Sequence, residues 1–227
     1  MYRLLLYCVC CALVFISCGE TNNQSMQNEG KDSATVSEKK ATATYAYDRD
    51  FLKKYVSVIE LQQGASRVLL SPQYQGRVMT SSTRGDSGYS FGWVNYGLIE
   101  SKKTKEHINA FGGEERLWLS PEGGQFSFFF KKNDPFDFEH WFTPKEFDTE
   151  PFDVISQSDT SVLFKKDVVL NNRSENNFVI HIDRKITLLD KKKIEANLKI
   201  DLGNDISAIA YESENTLVNK GKNSWTK

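Results

Sequence analysis

The densest concentration of groups able to do chemistry is the run Phe111-Gly112-Gly113-Glu114-Glu115-Arg116-Leu117-Trp118-Leu119-Ser120-Pro121-Glu122-Gly123-Gly124-Gln125. Two Gly-Gly pairs bracket it, so the backbone can turn sharply on both sides. Arg116 offers a planar fork of donors suited to vicinal hydroxyls or a carboxylate, Trp118 a flat apolar face, and Glu122 an acceptor for hydroxyl protons. Regular strand geometry over 116–119 would put Arg116 and Trp118 on one face, with the direction of Glu122 left open beyond Pro121. A structural alternative carries equal weight: an Arg116–Glu122 pair with Trp118 in the core. No Gly-Lys-Ser/Thr follows the glycines, so they do not form a phosphate-binding loop.

Three histidines could serve acid–base chemistry. His140, in Asp137-Phe138-Glu139-His140-Trp141, has carboxylates and rings beside it and is the best candidate. His181 sits mid-strand, facing away from Ile180 and Ile182, and His107 follows the charged run 102–106, where an exposed loop is expected. Asp134, Asp137 and Glu139 match no calcium-loop spacing, so no metal is expected, and no cofactor motif is present. All four cysteines, Cys8, Cys10, Cys11 and Cys18, fall in the first 18 residues. The body therefore has no thiol for a disulfide, a thiolate metal site or a cysteine nucleophile. With 29 basic and 30 acidic residues, the chain lacks the positive excess of a nucleic-acid binder.

The elements that must position these groups read as strands. Phe178, Ile180 and Ile182 alternate with polar residues, as do Ile194, Ala196, Leu198, Ile200 and Leu202, with Asp190-Lys191-Lys192 as a hairpin connection between them. Further strand patterns cover 56–61, 67–70, 76–81, 90–98, 116–119, 125–130, 161–170 and 206–218, and a short helix is expected near 48–54. Many short strands with little helix predict an all-β antiparallel sandwich or barrel. The stretch 121–152 differs in kind, with four of the five prolines and nine of the fifteen phenylalanines. Proline interrupts ladders, so much of this stretch must be loop whose rings either plug the fold or line a cavity.

Ahead of the body, residues 1–17 carry Arg3 and then an apolar run too short to span a bilayer, which reads as a secretory signal. Phe15-Ile16-Ser17-Cys18 resembles the lipobox of bacterial lipoproteins, with Phe15 where Leu is more usual. That resemblance implies lipidation of Cys18, removal of 1–17 and a cell-envelope location, facing the periplasm or on the outer membrane. A cleaved signal with an incidental Cys18 is the alternative. Residues 18–44 are rich in Thr, Asn, Gln, Ser, Lys and Glu and cannot offset their conformational entropy by burial, so they read as a flexible tether. Asp32-Ser33-Ala34 within it resembles an O-glycosylation acceptor, although a plain solvated linker explains it equally simply. The remaining domain is 45–227.

The motif run, together with Ser71-Pro72-Gln73-Tyr74-Gln75-Gly76-Arg77-Val78 and Phe91-Gly92-Trp93-Val94-Asn95, resembles the galactose-mutarotase-like superfamily, closest to a group of uncharacterised lipoproteins of that fold. The resemblance implies an antiparallel super-sandwich with a carbohydrate cleft on its concave sheet. Mutarotase chemistry divides acid–base work between a carboxylate and a histidine, and the candidates in this sequence are Glu122 and His140, with Arg77, Asn95, Arg116, Trp118 and Trp141 as candidate substrate-binding residues. The family's Asn/His strand opening is not recognisable here. The chain also ends at Asn223-Ser224-Trp225-Thr226-Lys227, before the position of the family's late carboxylate, so the domain is expected to lack its last strands. A non-catalytic module contacting a protein or polysaccharide is the alternative function.

Overall fold

A computed structural model describes residues 44–225; the expected signal, Cys18 and the expected tether lie outside them, apart from Thr44. Two antiparallel sheets build the domain. Strands β1 (Ile59–Gln63), β2 (Ser66–Ser71) and β3 (Arg77–Ser82) form one in the order β1-β2-β3, and β4 (Asp153–Gln157), β5 (Ser161–Asn171), β6 (Asn177–Leu188) and β7 (Tyr211–Asn219) form the other in chain order. The fold is an all-β sandwich with few helices.

Alternation sets the interior. Val162, Phe164, Val168 and Leu170 of β5 and Ile180, Ile182, Ile186 and Leu188 of β6 point inward and meet Ile59, Leu61, Val68, Leu70 and Val78 of the smaller sheet in one core. Each such buried aliphatic side chain contributes roughly 1.5–3 kcal/mol. The inward row of β6 is broken by Arg184, which is 0% exposed.

The three-stranded sheet is buried on both faces. On its outer side lies α1 (Tyr45–Tyr55), started by Thr44, whose side chain accepts from the Tyr47 amide. Tyr45 and Leu52 of α1 pack with Leu69, Met79, Val94, Leu98, Ile99 and Phe111 in a second cluster. Asp48 is buried there and accepts from the hydroxyls of Ser90 and Tyr96. Thr44 bridges Tyr89, and the Tyr45 amide donates to the Gly88 carbonyl at 2.9 Å.

Several expected strands are something else. Residues 191–198 form α3 (Lys191–Leu198) because Asp190 caps it, its side chain accepting from the Lys193 amide; only Ile194 of the alternating set within the helix is buried. Leu198 and Ile200 are exposed. Within 90–98 the chain loops and then enters α2 (Tyr96–Ser101), started by Asn95. Residues 116–119 and 125–130 are irregular; the Val78–Glu115 bridge lies just upstream of the first, and in the second the Ser127 carbonyl accepts from the Arg173 amide at 2.8 Å. Strand β4 is wholly exposed, with a register shift between Val154 and Ser156. Its edge position and short length kept its hydrophobic signal weak.

Candidate functional site: an aromatic ladder beside the glycine-bracketed motif

Gly112 and Gly113 let the motif approach the sheet. Their φ values are +97° and +107°, and a Cβ on Gly112 would lie 2.1 Å from the Trp93 carbonyl oxygen, one on Gly113 2.8 Å from that of Val78. Only glycine accommodates both the dihedral and the approach. The segment then keeps strand-like alternation without being a strand. Leu117 enters the core, while the Arg116 guanidinium lies 4.3 Å over the Trp118 ring. The two residues are together, as face-sharing predicts.

From Trp118 a ladder of rings runs through the proline-rich stretch. Trp118 meets Phe129 at 5.2 Å, Phe129 stacks on Trp141 at 5.1 Å, and Trp141 stacks on Phe138 at 6.2 Å. Phe138 leans on His107, which in turn packs on Phe142 and shares a hydrogen bond between Nδ1 and the Trp141 carbonyl at 2.8 Å. His107 is thus a half-buried packing residue rather than an exposed loop one. At the far end Ile108, Phe130, Phe136, Asp137, Phe138 and Trp141 line a recess of about 430 Å³. Phe136 and Phe138 are 56% and 64% exposed there. Rings of the 121–152 stretch therefore do both things expected of them: Phe129, Phe147 and Phe152 plug, and Phe136 and Phe138 line an open surface.

The other nominated residues fall around this ladder. Trp118 Nε1 donates to Glu122 Oε1 at 2.7 Å, so Glu122 pairs with Trp118 and not with Arg116. Arg116 instead donates to the Phe147 carbonyl and stands 4.0 Å from Asp148. With Arg116 over its ring and Phe129 against it, Trp118 has little open face left for a ligand. His140 Nδ1 meets Asp137 Oδ1 at 2.6 Å, which raises the His140 pKa and lowers that of Asp137. No hydrogen bond or ion pair among the described residues joins His140 to Glu122. Asn95 is committed to backbone: its Oδ1 accepts from the Leu98 amide at 3.1 Å and its Nδ2 donates to the Ala110 carbonyl at 2.9 Å. Arg77 is buried behind the motif, donating to the Gly112 carbonyl at 2.8 Å. His181 is a hydrogen-bonded strand residue, as expected, held by Asp167 at 2.6 Å.

A second polar cluster had no sequence-based nomination. Glu114 accepts from Ser81 Oγ at 2.9 and 3.0 Å and from the Tyr211 hydroxyl at 3.2 Å. Desolvation raises its pKa, opposed in part by the Ser81 and Tyr211 hydroxyls. Burial and the neighbouring Glu114 raise the Tyr211 pKa in turn. Glu115 pairs with Arg184, which also donates to Ser213 Oγ at 2.9 Å and Asn215 Oδ1 at 2.8 Å. Alternation along β7 puts Tyr211, Ser213 and Asn215 on one face. That pattern opposite two adjacent glutamates was the available signal. Among the described residues no group of three or more His, Cys, Asp or Glu could hold a metal ion.

The fold and site define an all-β sandwich protein with a surface aromatic recess at one end of a ring ladder and a Gly-Gly-Glu-Glu-Arg loop at the other. The chain belongs to DUF6786, a family of unknown function whose match spans residues 43–227. No curated protein and no solved structure is similar to it.

Proposed function

We propose that this protein is a lipid-anchored cell-envelope domain that binds carbohydrate through its aromatic recess. The observation that carries the reading is the recess of Ile108, Phe130, Phe136, Phe138 and Trp141, whose two most exposed rings stand beside the polar pair Asp137–His140. Sugars present apolar C–H faces and a hydroxyl rim, which flat rings flanked by hydrogen-bonding groups match. The resemblance of the motif to galactose-mutarotase-like proteins supports the same ligand class, and the lipobox-like Phe15-Ile16-Ser17-Cys18 supports the anchor. Of the two acid–base candidates, His140 stands beside this recess through its bond to Asp137 and Glu122 pairs with Trp118 at the opposite end of the ladder, an arrangement that favours binding over proton transfer between them.

The test is a glycan panel read against wild type, Phe138→Ala and Trp141→Ala, with melting temperature measured in parallel. Phe138→Ala is expected to weaken binding while leaving the melting temperature nearly unchanged, because that ring is mostly open. Binding confined to a protein partner, with no glycan retained, would replace carbohydrate by the alternative module function. For the anchor, Cys18→Ala is expected to move the protein from the membrane to the soluble fraction. Unchanged fractionation would remove the lipid from the proposal.

A further inference from the structure

Behind the Trp118 end of the ladder two guanidiniums share one carboxylate. Arg77 is 2% exposed; its Nη1 is used by the Gly112 carbonyl, and its Nε and Nη2 meet no acceptor. Arg116 keeps 21% of its side chain open, gives Nη2 to the Phe147 carbonyl, and has no acceptor at Nε. Asp148 is the nearby counter-charge, yet its oxygens already accept from the Asn109 amide at 3.1 and 3.2 Å and from Asn109 Nδ2 at 2.7 Å. Arg184, the third guanidinium in this region, is balanced by Glu115.

Two positive charges against one negative leave a cation uncompensated in a place where charge is costly to keep unpaired. Burial pushes Arg77 down to about 9, and the charge of Arg116 adds to that fall. Burial lowers Arg116 as well, with Asp148 opposing. A sugar hydroxyl could accept a hydrogen bond here but would leave the excess charge in place. The unpaired Nε atoms of both arginines and Nη2 of Arg77 are themselves buried, so an anionic group supplies the missing charge from outside, against the part of Arg116 that is open.

We infer that the glycan bound by this domain is anionic, its carboxylate or sulfate docking on the open side of Arg116 with Arg77 behind it as a positioning charge. This rests on the carbohydrate reading above and adds the substrate class. The neutral part of the chain would then pass over the surface toward the exposed rings of Phe136 and Phe138, the rung at Phe129 between being buried.

The experiment compares three polymers on the detergent-solubilised full chain: polygalacturonate, dextran sulfate and neutral dextran. At least one anionic polymer should bind roughly tenfold or more tightly than dextran, the scale of a hydrogen bond to a charged group, and should weaken as salt is added. Preference for polygalacturonate identifies the carboxylate as the docking group, and preference for dextran sulfate identifies the sulfate. Arg116→Gln should erase the preference, and Arg116→Lys should keep part of it, having the charge without the hold that the Phe147 carbonyl gives the guanidinium. Lys192→Gln, on the exposed first turn of α3, should change nothing. If Arg116→Gln melts early, Arg116→Lys at an unchanged melting temperature carries the comparison. Equal binding of all three polymers overturns the anionic inference and leaves the carbohydrate reading standing, as does an anionic preference that survives Arg116→Gln. Failure to bind any glycan of the wider panel overturns both.

Discussion

Arg184, fully buried in the inward row of β6, donates to Glu115, 69 residues away in the glycine-bracketed motif. The pair ties the motif to the four-stranded sheet from inside the sandwich. Removing Glu115 leaves the guanidinium with only the neutral oxygens of Ser213, Asn215 and Gly76. Glu115→Ala should therefore cost about 3–5 kcal/mol. For a domain of this size that lowers the melting temperature by roughly 6–20 °C. Replacing both partners, Arg184→Met with Glu115→Leu, should recover much of the loss. An unchanged melt for Glu115→Ala would contradict the pairing.

Gly113 should not tolerate a side chain. Its φ of +107° is unfavourable for any L residue, and the added Cβ would meet both the buried Arg77 side chain and the Val78 backbone oxygen at 2.8 Å, of which the backbone oxygen cannot swing aside. Gly113→Ala is expected to cost on the order of 1–3 kcal/mol. It should also weaken the Glu114 amide bond to the Val78 carbonyl, 2.8 Å in the native protein. Amide exchange at Glu114 checks this, and faster exchange without global unfolding is the expected result.

Glu114 makes stability depend on pH in a definite direction. Its pKa is raised above the ordinary 4.5 by desolvation, so between the unfolded and folded pKa values the folded state binds more protons than the unfolded one. The stabilisation is complete below the unfolded pKa and is lost as pH rises through the folded one. Glu114→Gln keeps a neutral side chain at every pH. The variant should gain on wild type from about pH 4.5 upward, measured as the difference between two denaturant midpoint series. A difference independent of pH would mean that Glu114 is not desolvated.

His140 titrates with the opposite partner chemistry. Its side-chain bond to Asp137 raises the histidine pKa and lowers the carboxylate's. The charged pair therefore exists between the two folded pKa values, and it is lost as pH rises through the first or falls through the second. Asp137→Asn should bring the His140 midpoint back toward 6.5, read from its imidazole resonances. An unmoved midpoint would show that Asp137 does not hold the ring in solution.

The sandwich was legible because β5 and β6 carry two-residue periodicity with one buried face, while β2 and β3 read as short strands that are buried on both faces. The stretch from Ile194 to Leu202 carries the same periodicity and misleads. Its upstream Asp190 satisfies a helix N-terminus, and capping decides the outcome where alternation is backed by little burial. At the motif, the juxtaposition of Arg116 and Trp118 followed from alternation, which Leu117 enforces by entering the core. The contacts of Glu114 with Tyr211 and of Glu115 with Arg184 span 97 and 69 residues, and no local pattern encodes them. Asn95 shows the converse: a polar residue beside an aromatic run served as a helix cap, a role its position ahead of Tyr96 already permitted.

The attachment of α1 has a mechanical consequence. Among the described residues, a pull on the chain ahead of Thr44 first loads the Thr44–Tyr89 bridge, with its bond from the Tyr45 amide to the Gly88 carbonyl, and then the helix itself. The β5–β6 ladder, with eleven registered pairs, lies beyond that path. Tension would peel α1 from the outer face of the small sheet before the sandwich opens, and Phe111, in the cluster that α1 covers, directly precedes Gly112 and Gly113. A load on the N-terminal end would thus reach the motif as a loosened support under its first turn, while the core between the sheets still bears no strain.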